Sequence, residues 1–134
     1  MADADFEVVV AAGTLRPAVD GRVVMPHRWT PDGVVVEADF TGAHLYHLAA
    51  AGCVLNDLYR EGERMGIRID GARVRAFGGF DPATWSSTGI EYEVDVASEA
   101  SAEEIRRLIA VVDDVAEIPK ALRFGTTVAR RPAS

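Results

Sequence analysis

Residues 43–58, AHLYHLAAAGCVLNDL, form a nearly unbroken apolar run built on alanine and leucine rather than valine or isoleucine. Alanine and leucine are strong helix formers, whereas a buried strand would favour β-branched side chains. A helix that is apolar on nearly every side must be covered on nearly every side. The rest of this 134-residue chain must therefore wrap around it. The continuation YREGERMG is charged and reaches Gly66, a natural C-terminal stop. The reading is one long helix from Ala43 to Gly66, with its first half in the core and its second half at the surface. Cys53, the only cysteine, falls in the middle of it.

Short strands are expected before this helix. Phe6 to Ala11 is apolar and β-branched, Gly21 to Met25 follows an Asp-Gly pair, and Gly33 to Phe40 is entered through Pro31-Asp32-Gly33. After the helix, Ile67, Ile69, Val74 and Ala76 alternate with Arg68, Asp70, Arg73 and Arg75, with a register break near Gly71. Ile90, Tyr92, Val94 and Val96 alternate with Glu91, Glu93 and Asp95. Period-two alternation marks half-buried strands, and a basic face opposite an acidic one predicts antiparallel neighbours joined by cross-strand ion pairs. Ser101-Ala102-Glu103-Glu104 is a capping box. Behind it Ile105, Leu108, Ile109, Val112 and Val115 form an amphipathic stripe. Pro119 interrupts that helix, Ile118 to Leu122 suits a short further helix, and Thr126 to Ala129 reads as a closing strand. Strands and helices that do not alternate regularly indicate a single α+β domain over residues 1–134.

The formal net charge of -7 disfavours nucleic acid and anionic membranes as partners, since both reward a basic face. MADADFEVVV carries acids where a secretory signal carries lysine or arginine, and no run is long enough to span a bilayer. One cysteine makes neither an intramolecular disulfide nor a cysteine-rich metal site, and His27, His44 and His47 lack a His-x-x-x-His spacing. A cytoplasmic protein without metal or other cofactor is expected.

The chemistry of a lone thiol follows its pKa. On a helical wheel, Cys53 points away from Leu48, Gly52, Leu55 and Tyr59 and towards Tyr46, Ala49, Ala50, Asp57 and Arg60. The alanines leave space beside the sulfur. Asp57, one turn on, would raise the thiol pKa, as would apolar burial, and Arg60 is two turns away. An activating cation must come from elsewhere in the chain or from a second subunit.

LYHLAAAGCVLNDLYREGERMGI resembles the central helix of the OsmC/Ohr family, in which a cysteine lies in an alanine-rich helix that ends in a charged turn and Gly-Ile. EYEVDVAS, the helix from Ser101 and EIPKALRFGTTV are similar to that family's second half. The resemblance implies an OsmC-like fold with antiparallel sheets around the central helix, and an intertwined homodimer with its active sites at the subunit interface. It also implies reduction of hydroperoxides by a cysteine thiolate, the place of Cys53. The family's second cysteine, which resolves the oxidised sulfur, falls at Ile118, before Pro119. The glutamate ten residues before the reactive cysteine falls at Ala43. The family's arginine falls at Val19, with Arg16 and Arg22 near enough to replace it.

The candidate catalytic residues are accordingly Cys53, Arg16 and Arg22, and the candidate substrate-binding residues are Tyr46, His47 and Trp29. Tyr46 shares the Cys53 face, and Trp29 and Trp85 suit the rim of an apolar pocket. His44 and His47 lie on the helix's first turns. The expected activity is a hydroperoxide reductase with one cysteine and an external thiol. The alternatives are a derived protein that binds or transforms an apolar small molecule without redox chemistry, and a structural dimer with no ligand.

Overall fold

The computed structural model describes residues 5–133; Met1–Ala4 at the acidic start and Ser134 lie outside it. The elements run β1 (Val8–Gly13), β2 (Val23–Met25), β3 (Val34–Glu37), α1 (Gly42–Met65), β4 (Gly71–Phe80), β5 (Ser87–Ala97), α2 (Ala102–Val115) and α3 (Glu117–Phe124). The strands make one antiparallel sheet in the order β2-β3-β1-β4-β5. This is the α+β arrangement expected, seen here as one sheet against helices.

Register follows the side chains. Val8, Val10 and Ala12 of β1 lie opposite Ala76, Val74 and Ala72 of β4, and all six are buried on the face that carries the helices. Small residues on β4 let α1 approach closely. Ala51, Val54, Leu55 and Leu58 of α1 pack there, joined by Leu108 and Val112 of α2. Each fully buried leucine contributes about 1.5–3 kcal/mol of apolar transfer. The opposite faces of β4 and β5 carry the charge pattern. Arg73 faces Asp95 at 3.6 Å and Arg75 faces Glu93 at 3.2 Å, the cross-strand pairs anticipated.

Both helix termini that were legible behave as expected. Ser101 and Glu104 close the capping box reciprocally. Gly66 ends α1 in the left-handed region, at φ 70°, with its N–H on the Glu63 carbonyl.

Three expectations need correction. Ile67–Asp70 is not part of a strand, because the Ile67 N–H is bonded to the Gly62 carbonyl as part of the helix cap, and pairing begins at Gly71. Thr126–Ala129 forms no strand; its one large apolar side chain, Val128, is 91% exposed and gains nothing from joining a sheet. The burial of α1 also departs from a buried first half and an exposed second half. Leu45 and Ala49 in its first half are exposed, while Glu61 and Gly62 in its second half are buried, as is Asp57 near the end of the first. The charged residues are tolerated inside because Arg60 bonds both acids.

Candidate functional site

Cys53 sits in the middle of α1, half-buried, where the start of α3 meets the helix. Its Sγ donates to Glu117 Oε1 at 3.4 Å and lies 3.9 Å from Asp57 Oδ2. The Ile118 backbone N–H donates to the sulfur. Residue 118, where the family resemblance places the second cysteine, is thus in contact with Cys53. No thiol stands there.

Arg60 ties the carboxylates together. Its guanidinium lies 3.0 Å from Asp57 Oδ2, 3.0 Å from Glu61 Oε2 and 3.5 Å from Glu117 Oε2. Asn56 Nδ2 donates to Asp57 Oδ1 at 3.2 Å. Asp57 is completely buried, and that burial, more than any neighbour, raises its pKa from the ordinary carboxylate value.

Burial also pushes the Cys53 thiol up to about 11, with the charges of Asp57 and Glu117 adding to the rise and the Ile118 N–H opposing it. At neutral pH the sulfur is therefore a protonated thiol hydrogen-bonded to a carboxylate. Cys53, Asp57 and Glu117 place three metal-ligating atoms within 4.8 Å of one another. Arg60, however, already supplies the positive charge that this cluster calls for, so the residues present fit an ion-pair network better than a metal centre.

One helical turn along α1 from Cys53 is a cavity of about 310 Å³, within the small-molecule range, whose lining does not include the sulfur. Tyr46 and Ala50 of α1, Tyr92 of β5 and Pro119, Leu122 and Arg123 of α3 line it. Ala50 precedes Cys53 by one helical turn and Pro119 follows Ile118. The Tyr92 hydroxyl donates to Asp113, and burial, followed by this bond, holds its pKa up at about 12.

The other residues singled out in the sequence lie elsewhere. His47 is fully buried, with Nδ1 at 2.7 Å from the Ala43 carbonyl oxygen and its ring among Phe6, Tyr46 and Phe80. Among the described residues its Nε2 has no partner, and it lies under Gly78, where a Cβ would come within 2.7 Å of it. His44 belongs to the helix cap through Thr41. Arg16 approaches Asp32 at 3.8 Å; Arg22 donates to the Ala18 carbonyl at 2.8 Å and pairs with Glu37 at 3.5 Å. Neither arginine is among the groups around the sulfur of its own chain. Trp29 packs near His27 and lines a different cavity. Of the six candidates, Cys53 joins the carboxylate cluster and Tyr46 lines the 310 Å³ cavity, two helical turns apart on α1.

Glu117 is the residue that sequence reasoning missed. Its signal was available at second hand: if residue 118 faces Cys53, its neighbour one position earlier reaches the same sulfur.

On the other edge of α1, a groove of about 400 Å³ is lined largely by apolar side chains, among them Val10, Met25, Val34, Leu45 and Leu48. It continues onto β2, where Val23, Val24 and Met25 are all exposed. Among the described residues, no helix is long and apolar enough to cross a membrane.

A family model described as OsmC-like protein matches residues 36–130. Among solved structures, the chain is similar in fold to an OsmC-like protein from Mycoplasma pneumoniae, with 13% identity over 86% of this chain and 85% of that one and a TM-score of 0.59. It is also similar to an OsmC-like hydroperoxide resistance protein from Jannaschia sp. CCS1, with 15% identity over 96% and 94% of the two chains and a TM-score of 0.51. Comparison with curated proteins finds no match.

Proposed function

Because the chain belongs to the OsmC-like protein family, we propose that it is a hydroperoxide reductase that uses Cys53 alone and is regenerated by an external thiol. The observation that carries this reading is the placement of the half-buried sulfur, 3.4 Å from a carboxylate oxygen and one helical turn from Ala50, on the wall of a cavity of small-molecule size. The hydroperoxide resistance protein among its structural neighbours supports the same substrate class.

The chemistry follows from that placement. As the sulfur attacks the outer oxygen of R–O–O–H, its proton passes to Glu117. The O–O bond breaks, the alkoxide leaves with that proton as R–OH, and Cys53 becomes a sulfenic acid. An external thiol then displaces water to give a mixed disulfide. A second thiol releases the disulfide and restores Cys53. With isoleucine at position 118, the oxidised sulfur has no partner thiol in its own chain, so both reducing equivalents come from outside. This requirement supports a compartment rich in reduced thiols, the cytoplasm.

A thiol held at about 11 needs a cation to become a fast nucleophile at neutral pH. The reading therefore includes a homodimer in which the second copy covers the groove beside Leu45 and Leu48 and brings Arg16 or Arg22 to the partner's site. The exposed apolar surface of β2 supports this assembly. The test is consumption of cumene hydroperoxide or tert-butyl hydroperoxide with a thiol reductant, lost in Cys53→Ser. Absence of turnover with every thiol offered would overturn it.

The raised thiol pKa favours one other reading, a dimer that holds an apolar small molecule beside Tyr46 without redox chemistry. In that case Cys53→Ser would bind the ligand as tightly as the parent protein.

A further inference from the structure

Among the residues lining the apolar groove on the other edge of α1, His27 and Asn56 are the two with polar side chains. Both belong to a chain of hydrogen bonds that leads from that groove to the sulfur. His27 Nδ1 lies 2.8 Å from Thr30 Oγ1, His27 Nε2 lies 3.3 Å from Asn56 Oδ1, and Asn56 Nδ2 lies 3.2 Å from Asp57 Oδ1. The other oxygen of Asp57 faces Cys53 Sγ at 3.9 Å and the Arg60 guanidinium at 3.0 Å.

Donor and acceptor chemistry gives this chain one direction. An ionised carboxylate only accepts, so Asn56 presents its amide nitrogen to Asp57 and its carbonyl oxygen to His27. His27 must then carry its hydrogen on Nε2, which leaves Nδ1 to accept from the Thr30 hydroxyl. Every donor points towards Asp57. Tyr59 packs edge-on against the imidazole with ring centres 5.4 Å apart, and Thr30 is itself buried.

Asp57 is completely buried, and hydrogen bonds to the charged form are what keep such a carboxylate ionised. Burial raises its pKa; the Asn56 bond and then the Arg60 charge lower it, while the charges of Glu117 on α3 and Glu61 on α1 raise it. The Asp57 charge in turn adds to what burial does in opposing the Cys53 thiolate.

We propose that His27 is a positioning residue for the thiol site: by orienting Asn56, it holds Asp57 as a fixed, charged acceptor that restrains Cys53 from ionising. The role rests on Cys53 being the reacting thiol, but its test needs no hydroperoxide turnover.

The probe is dithiodipyridine. The Cys53 thiolate attacks one of its sulfurs, the S–S bond breaks, and thiopyridone leaves as a mixed disulfide forms on the protein. The rate is measured against pH in a Glu117→Gln background, where Asp57 is the remaining carboxylate bonded to the sulfur among the described residues. Below the pH at which Asp57 takes up a proton, its charge no longer opposes the thiolate. The rate there should lie roughly tenfold above the line extrapolated from higher pH, a step in the profile. Asn56→Leu should move that step to higher pH, by about tenfold in proton concentration, the loss of one hydrogen bond to a charged group. His27→Phe should move it the same way by less. His27→Gln, whose amide nitrogen supplies the same donor, should return it to the parent position. Either Asn56→Leu or His27→Phe suffices if the other does not fold. A profile without a step, an unmoved step in either folded variant, or a uniform rise at every pH would each overturn the proposal, as would His27→Gln behaving like His27→Phe. A failed hydroperoxide assay leaves this profile unaffected, and a missing step leaves the assay unaffected.

Discussion

Cys53 Sγ and Glu117 Oε1 meet at 3.4 Å across 64 residues of chain, so the start of α3 adds to what burial does to the protonation of a thiol on α1. A carboxylate that accepts from a thiol stabilises the protonated sulfur and opposes the thiolate. In the same contact it is the nearest base to which the proton can go.

Glu117→Gln removes a charge that raises the thiol pKa and replaces a carboxylate acceptor with a weaker, neutral amide. The Cys53 pKa should fall below about 11 and stay above the ordinary 9.0, because burial is the larger cause and is unchanged. Thiolate absorbance followed against pH measures the shift, and an unchanged or higher pKa would contradict the assigned contact.

Ile118→Cys restores a second thiol where the backbone already touches the sulfur. Treatment with one equivalent of hydroperoxide should then form an intramolecular disulfide with Cys53, read as loss of both free thiols and of two hydrogens in intact mass. The parent protein should instead stop at sulfenic acid, trapped by dimedone.

His27 bonds Thr30 Oγ1 through Nδ1 at 2.8 Å and Asn56 Oδ1 through Nε2 at 3.3 Å. Burial, opposed by the Asn56 bond, lowers its pKa below 6.5. The unfolded chain then takes up a proton at a pH where the folded chain resists it. Stability should hold above pH 6.5 and decline as pH falls from there through the lower folded value. Urea unfolding at about pH 7.5 and about pH 5.5 should show this decline in the parent, and a flatter dependence in His27→Gln.

Leu45 is 38% exposed on the apolar groove. Leu45→Glu places a carboxylate on the proposed subunit contact, where an unpaired charge opposes burial. Light scattering coupled to gel filtration should find a dimer for the parent and a monomer for the variant. A monomeric parent would remove the dimer from the functional reading.

Where a pattern is local, the sequence was readable. Ser101 and Glu104 are three residues apart and determine their own cap, and the Arg73 and Asp95 faces follow from alternation alone. Where the outcome depends on competition, it was not. Ile67 and Ile69 alternate as a strand would, but the helix cap claims the Ile67 N–H first. Glu61 looks like a surface residue until Arg60, on the same helix, is seen to bond both it and the buried Asp57. The family resemblance located the cysteine. The carboxylate that accepts its hydrogen bond comes from a helix distant in sequence, and neither periodicity nor composition relates such positions.

β2 is the end strand of the sheet, and Val23, Val24 and Met25 all face solvent in the single chain. An uncovered edge of β-branched residues is a template for recruiting other strands. If a second copy is what covers it, substitutions that weaken pairing should first appear as poor expression and inclusion bodies. A screen that scores only hydroperoxide turnover in lysate would mistake those variants for catalytic defects. Soluble yield, measured beside activity, separates the two.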